Sequence, residues 1–205
     1  MSKIKVFFDA LLAGLFIAIG GIVFLSVQDK IIGSLLFAVG LFTICTLKFN
    51  LYTGKVCYVF EKDKEYALNL PIIYLGNLLG TIATSFILHF TRIYPAISEK
   101  AKALSEIKLN DSLLSIFILS MMCNILVYLS VEEYNNNPHE LGKYLGLIFG
   151  IVVFIICGFE HCVANMFYFS IGDMWSLKTV LYLIVMTLGN SLGGIIIPLI
   201  RKYIK

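Results

Sequence analysis

Charge is scarce in this chain. Asp, Glu, Lys and Arg together supply 14% of its 205 residues, against about 25% in a typical soluble domain. With 59% hydrophobic residues and a mean hydropathy of +0.90, the sequence is that of an integral membrane protein. The net charge of +3 is small and dispersed, which excludes a nucleic-acid partner held by a basic surface. Proline is almost absent too, and neither Asn50 nor Asn165 is followed by one. The paired Asn-Pro-Ala motifs expected of an aquaporin-type channel for neutral solutes are therefore missing. The five cysteines fall in apolar segments without a CxxC spacing or a His/Cys cluster, so they read as small buried hydrophobes and imply no metal or cofactor. No Ser or Cys nucleophile motif, metal triad or phosphate-binding glycine loop is present either. An enzyme would have to rest on Glu160 and His161 as acid and base.

What the chain has is apolar length. A first stretch runs from about Phe7 to Val27, close to the roughly 20 residues a spanning helix needs. It is longer than the apolar core of about 7–15 residues in a signal peptide, so a retained helix is expected. A second stretch, Ile31 to about Phe60, is too long for one crossing, because about 30 residues at 1.5 Å each span about 45 Å. Lys48, Asn50, Thr53, Gly54 and Lys55 interrupt its second half. The third helix is expected from about Ala67 to Thr91, with Pro71 in its first turns. A polar connection from Arg92 to Asp111 follows, then a fourth helix from about Ser112 to Val131. The fifth stretch, Leu141 to about Ile171, is again some 30 residues long and carries its polar cluster past the midpoint. The sixth covers about Leu177 to Ile200 and closes on Arg201, Lys202 and Lys205.

The expected fold is therefore an all-α membrane domain of six transmembrane helices, in which helices two and five are broken. Its halves, about 1–92 and 111–205, resemble each other. Gly76-Asn77-Leu78-Leu79-Gly80 recurs as Gly189-Asn190-Ser191-Leu192-Gly193, and Asn50-Leu51-Tyr52 has a looser counterpart in Asn165-Met166-Phe167. An odd number of helices per half inverts the second copy, giving a 3+3 inverted repeat, and interruptions at matching places point to a midplane site. The glycine-flanked asparagines are expected to serve close helix packing. An even number of crossings puts both termini on one side, and the distribution of Lys and Arg favours the cytoplasm for that side.

The most costly residues lie in the fifth stretch, where Gly158-Phe159-Glu160-His161-Cys162-Val163-Ala164-Asn165 sets an acid, an imidazole and an amide within an apolar segment. Ionisable groups at membrane depth face a cavity or a partner. Asn50 and Asn165 suit the satisfaction of backbone groups freed by a helix break, since an amide can accept from the N–H groups that open the next half-helix. Two such N-termini meeting in the bilayer would favour a small anion. His161 has a reference pKa of about 6.5, within reach of physiological pH. On a helix Glu160 would point about 100° away from it and anchor a neighbour. His89, near a helix end, and His139, beside Pro138, read as bystanders. Phe37 and Phe154 could close a pore, although spacing alone does not single them out.

The strings GFEHCVANM, NLYTG and GNLLG resemble the signatures of the formate/nitrite transporter family, and the likeness runs through all six helices. The resemblance implies a homopentamer of aquaporin-like protomers in the cell membrane. Each protomer would have its own pore for small monovalent anions such as formate, nitrite, hydrosulfide or lactate, with proton involvement and no cofactor. It also implies that Leu41, Leu51, Phe37 and Phe154 form hydrophobic constrictions around a chamber lined by Thr53 and His161. By the same resemblance Asn124 is a buried asparagine near the histidine, and Lys108 draws anions toward an outer vestibule. The strings SLLFAVGLF and FNLYTGK are most similar to the hydrosulfide-channel branch. The amino-terminal helix common in the family is missing, and Tyr52 stands where Phe is more usual.

Overall fold

The computed structural model describes residues 2–204; Lys205 lies outside them. All regular structure among the described residues is helical: α1 (Lys3–Ser26), α2 (Lys30–Phe37), α3 (Val39–Leu47), α4 (Tyr52–Val56), α5 (Lys64–Leu88), α6 (Tyr94–Leu109), α7 (Leu113–Asn136), α8 (Glu140–Ile156), α9 (Cys162–Ile171) and α10 (Leu177–Ile204). Short polar side chains open four of them. Ser2 accepts from the Lys5 N–H, Asp29 from that of Ile32, Asp63 from that of Tyr66, and Ser112 from that of Ser115. Each satisfies an N–H that the first helical turn leaves free. Among the described residues five stretches are long and apolar enough to cross a membrane: Lys3–Ser26, Lys30–Leu47, Lys64–Leu88, Leu113–Asn136 and Leu177–Ile204.

α1 packs along α5, and α7 packs along both α10 and α8. Glycine makes the α1–α5 and α7–α10 contacts close. A Cβ added at Gly80 would meet the Leu11 carbonyl of α1, and one at Gly193 would meet the Met121 carbonyl of α7. Gly80→Ala is therefore expected to push α1 and α5 apart and to destabilise the protein by about 1–3 kcal/mol, the usual penalty for overpacking. A thermal unfolding series in detergent measures it.

Three expectations change. The segment from Arg92 to Asp111 is not an open connection, because most of it is the helix α6. Ile97, Ala101, Ser105 and Lys108 recur on one buried face of α6, which packs on α9. Pro71 lies inside α5, since Asp63 starts that helix earlier than Ala67. Among the cysteines, Cys57, Cys123 and Cys162 are buried, but Cys157 is exposed where α8 ends.

The two interruptions share one local pattern, 110 residues apart. Lys48 and Gly158 both take positive φ, 58° and 71°. The next N–H reaches back to a carbonyl, Phe49 to Ile44 at 3.0 Å and Phe159 to Phe154 at 2.9 Å. The one after crosses to another helix, Asn50 N–H to the Asp9 carbonyl at 3.2 Å and Glu160 N–H to the Leu119 carbonyl at 3.3 Å. This register matches Asn50 with Glu160 and Leu51 with His161. It replaces the expected match of Asn50 with Asn165, because Asn165 already lies inside α9, beyond the extended segment.

Candidate functional site

Every residue of α9 from Cys162 to Ile171 is buried, so the fold closes around this half-helix. His161 is its N-cap, with extended backbone (φ −100°, ψ 113°), and its Nδ1 accepts the Ala164 N–H at 3.1 Å. Its Nε2 lies 2.8 Å from Thr53 Oγ1 on α4. His161 and Thr53 are 3% and 0% exposed. A nitrogen that accepts a backbone N–H carries no proton, so the neutral ring holds its proton on Nε2 and donates it to Thr53. The threonine hydroxyl then keeps its own hydrogen for another acceptor.

Apolar groups flank the pair. The Phe154 ring stacks against His161 with centroids 5.8 Å apart and planes at 18°. Phe37 meets Phe154 edge-on at 6.3 Å. Leu41, about one turn after Phe37, and Leu51, two residues before Thr53, are 4% and 2% exposed. Both border a cavity of about 990 Å³ that is also lined by Lys55, Tyr58, Glu132 and Arg201. Neither Phe37 nor Phe154 lines that cavity.

Behind the pair lies a layer of buried polar groups. Asn124 on α7 donates to the Thr53 carbonyl at 3.0 Å and is fully buried. Lys108 does not stand on an open vestibule wall. It is 9% exposed, and its Nζ donates to Glu160 Oε2 at 2.6 Å because α6 lies as a helix against α9. Asn165 Nδ2 donates to the same Oε2 at 2.8 Å and to the His161 carbonyl at 3.0 Å. Asn50 Nδ2 donates to the Val6 carbonyl at 3.4 Å. Neither Asn50 nor Asn165 caps the following half-helix. The N–H groups of Tyr52 and Cys162 are taken instead by the side-chain oxygens of Asn77 and Asn190, each at 2.8 Å. From the sequence those two asparagines are expected to serve close packing and bonding across helices, and their recurrence in GNLLG and GNSLG is the signal of their paired duty. Among the described residues no group of three or more His, Cys, Asp or Glu is placed to hold a metal.

The model of the formate/nitrite transporter family matches residues 1–204. The chain belongs to that family. Among relatives, the formate channel FocB of Escherichia coli (strain K12) is 28% identical over 187 residues, covering 81% of this chain and 66% of FocB, just under two thirds of its length. The uncharacterized transporter YrhG of Bacillus subtilis (strain 168) is 30% identical, covering 95% of this chain and 84% of YrhG. Among solved structures, a pentameric formate channel with formate bound superimposes with a TM-score of 0.83 at 27% identity, over 98% of this chain and 96% of that one. An FNT family ion channel shares the fold, with a TM-score of 0.86 at 22% identity. Membership in the formate/nitrite transporter family bears out the resemblance read from the signature strings, and with the apolar helices it makes this a multi-pass membrane protein.

Proposed function

We propose that this chain is a pentameric channel or transporter for small monovalent weak-acid anions, of the class of hydrosulfide, formate and nitrite, with passage coupled to protonation at His161. The observation that carries this reading is the buried His161–Thr53 pair, 2.8 Å apart, with the Phe154 ring stacked on the imidazole. Relatives named as formate channels and a pentameric, formate-bound structural neighbour support the substrate class and the assembly. The chain would cross the membrane six times, α8 and α9 together making the fifth crossing, with both termini in the cytoplasm and the pore within each protomer.

An anion entering from the large cavity meets Leu41 and Leu51, where an unpaired charge is expensive. Loss of water raises its affinity for a proton. The Thr53 hydroxyl, already accepting from His161 Nε2, offers its hydrogen to the anion and orients it. A proton carried in by water beside His161 lets the weak acid cross Phe154 and Phe37 as a neutral species and leaves it again on ionisation beyond them, while the neutral imidazole keeps its own Nε2 proton. Lys108 is left out of this path because Glu160 already holds its charge. Uptake of a panel of monovalent anions into proteoliposomes, across imposed pH gradients, tests the reading. Flux that tracks inward proton gradients supports it, and water or glycerol flux without anion flux overturns it.

A further inference from the structure

Asn77 and Asn190 occupy equivalent places in the two halves, and each binds three backbone groups. Asn77 on α5 accepts the Tyr52 N–H at 2.8 Å and donates to the Asn50 carbonyl at 2.9 Å and the Ala10 carbonyl at 2.7 Å. Asn190 on α10 accepts the Cys162 N–H at 2.8 Å and donates to the Glu160 carbonyl at 2.8 Å and the Ser120 carbonyl at 2.7 Å. Both amides are fully buried, and each uses one acceptor and both donors. Each also ties the interruption to a long helix that is not its own, α1 through Ala10 and α7 through Ser120.

The residue straddled by each clamp decides what the clamp does. Asn77 holds the groups immediately before and after Leu51. Asn190 holds those immediately before and after His161. These are the two positions that the register of the repeat makes equivalent, one bordering the large cavity and one bonded to Thr53. A side chain on an extended segment goes where its flanking peptides go, so an amide that pins both peptides fixes it without touching it. We infer that Asn77 and Asn190 are positioning residues of the pore with divided duties: Asn77 sets the Leu51 constriction, and Asn190 sets the direction of His161 and hence the protonation step. The inference rests on the permeation reading above.

The test uses purified full-length protein in proteoliposomes, with flux expressed per folded oligomer from size-exclusion chromatography. Asn190→Ala is expected to move the pH of half-maximal formate flux by on the order of one unit, the equivalent of one lost hydrogen bond. It should leave the ratio of lactate to formate flux unchanged. Asn77→Ala is expected to raise the lactate-to-formate ratio by about tenfold with the pH profile in place. Asn77→Asp and Asn190→Asp keep the acceptor for the half-helix N–H and lose amide donors. They should give the same two changes in weaker form, and they serve the comparison if the alanine variants do not fold. Wild-type selectivity and pH profile per folded oligomer in both pairs of variants would reduce the asparagines to packing and overturn the inference. So would one identical change from both. Absence of anion flux in the wild type would instead sink the permeation reading itself.

Discussion

His161→Phe is expected to lower flux of formate, nitrite and hydrosulfide by about tenfold to a hundredfold and to flatten its dependence on pH. The ring donates to Thr53 Oγ1 from Nε2 and accepts the Ala164 N–H at Nδ1. Phenylalanine preserves the stack on Phe154 but supplies neither bond. Leaving a buried polar group without its partner costs about 1–3 kcal/mol, which is the stated range of flux if the loss falls on the rate-limiting barrier. The lost cap adds about 1 kcal/mol of destabilisation. His161→Asn separates the two effects, since asparagine caps helices well but cannot reach Thr53 in the same way. It should recover stability and not flux. Thr53→Val removes the other partner at nearly constant shape, and the double variant should be no worse than either single one, as expected for residues that act as a unit. Unchanged flux and pH dependence in His161→Phe would end the proton role.

Much of this arrangement was legible in the sequence because polar residues inside apolar stretches have few permissible explanations. The spacing placed interruptions over Lys48 to Lys55 and Gly158 to Asn165, and the structure puts non-helical backbone at 48–51 and 157–161, with the rest of each stretch already in the next half-helix. The register between them was not legible. Asn50 and Asn165 share a residue type, whereas Asn50 and Glu160, which stand at matching points of the two interruptions, share only backbone geometry. The positive φ at Lys48 hid it further, since glycine marks the same position in the second half and lysine masks it in the first. α6 was missed for a related reason. Five charged residues break its apolar ones into short pieces, and the signal was their period: Ile97, Ala101, Leu104 and Lys108 fall on one helical face. Once α6 is a helix packed on α9, the fate of Lys108 follows, because the face that buries Ile97 and Ala101 also buries the ammonium.

That burial leads to the largest stability effect expected in the protein. The Lys108–Glu160 pair has side chains 10% and 4% exposed at 2.6 Å separation. Removing one member leaves an uncompensated charge away from water, which typically costs about 3–5 kcal/mol. Lys108→Met and Glu160→Gln should each lower the thermal midpoint sharply. The double variant should recover most of the loss, because no lone charge remains and Asn165 can still donate to the glutamine oxygen. Denaturant unfolding of the four proteins in detergent gives the coupling directly, and additive losses would show that the pair is not a unit. The pairing also bears on anion attraction. A lysine neutralised at contact distance contributes little field beyond a Debye length of about 8–10 Å. The dependence of flux on ionic strength should therefore be the same in the double variant as in the wild type. If it weakens, Lys108 acts at long range despite its partner. If it does not, the pair serves the backbone of Glu160, whose N–H is held by Leu119, whose carbonyl is held by Asn190, and whose carboxylate is held by Lys108 and Asn165. With the N–H, the carbonyl and Oε2 of Glu160 committed, the neighbouring imidazole is the group of that segment bonded to Thr53.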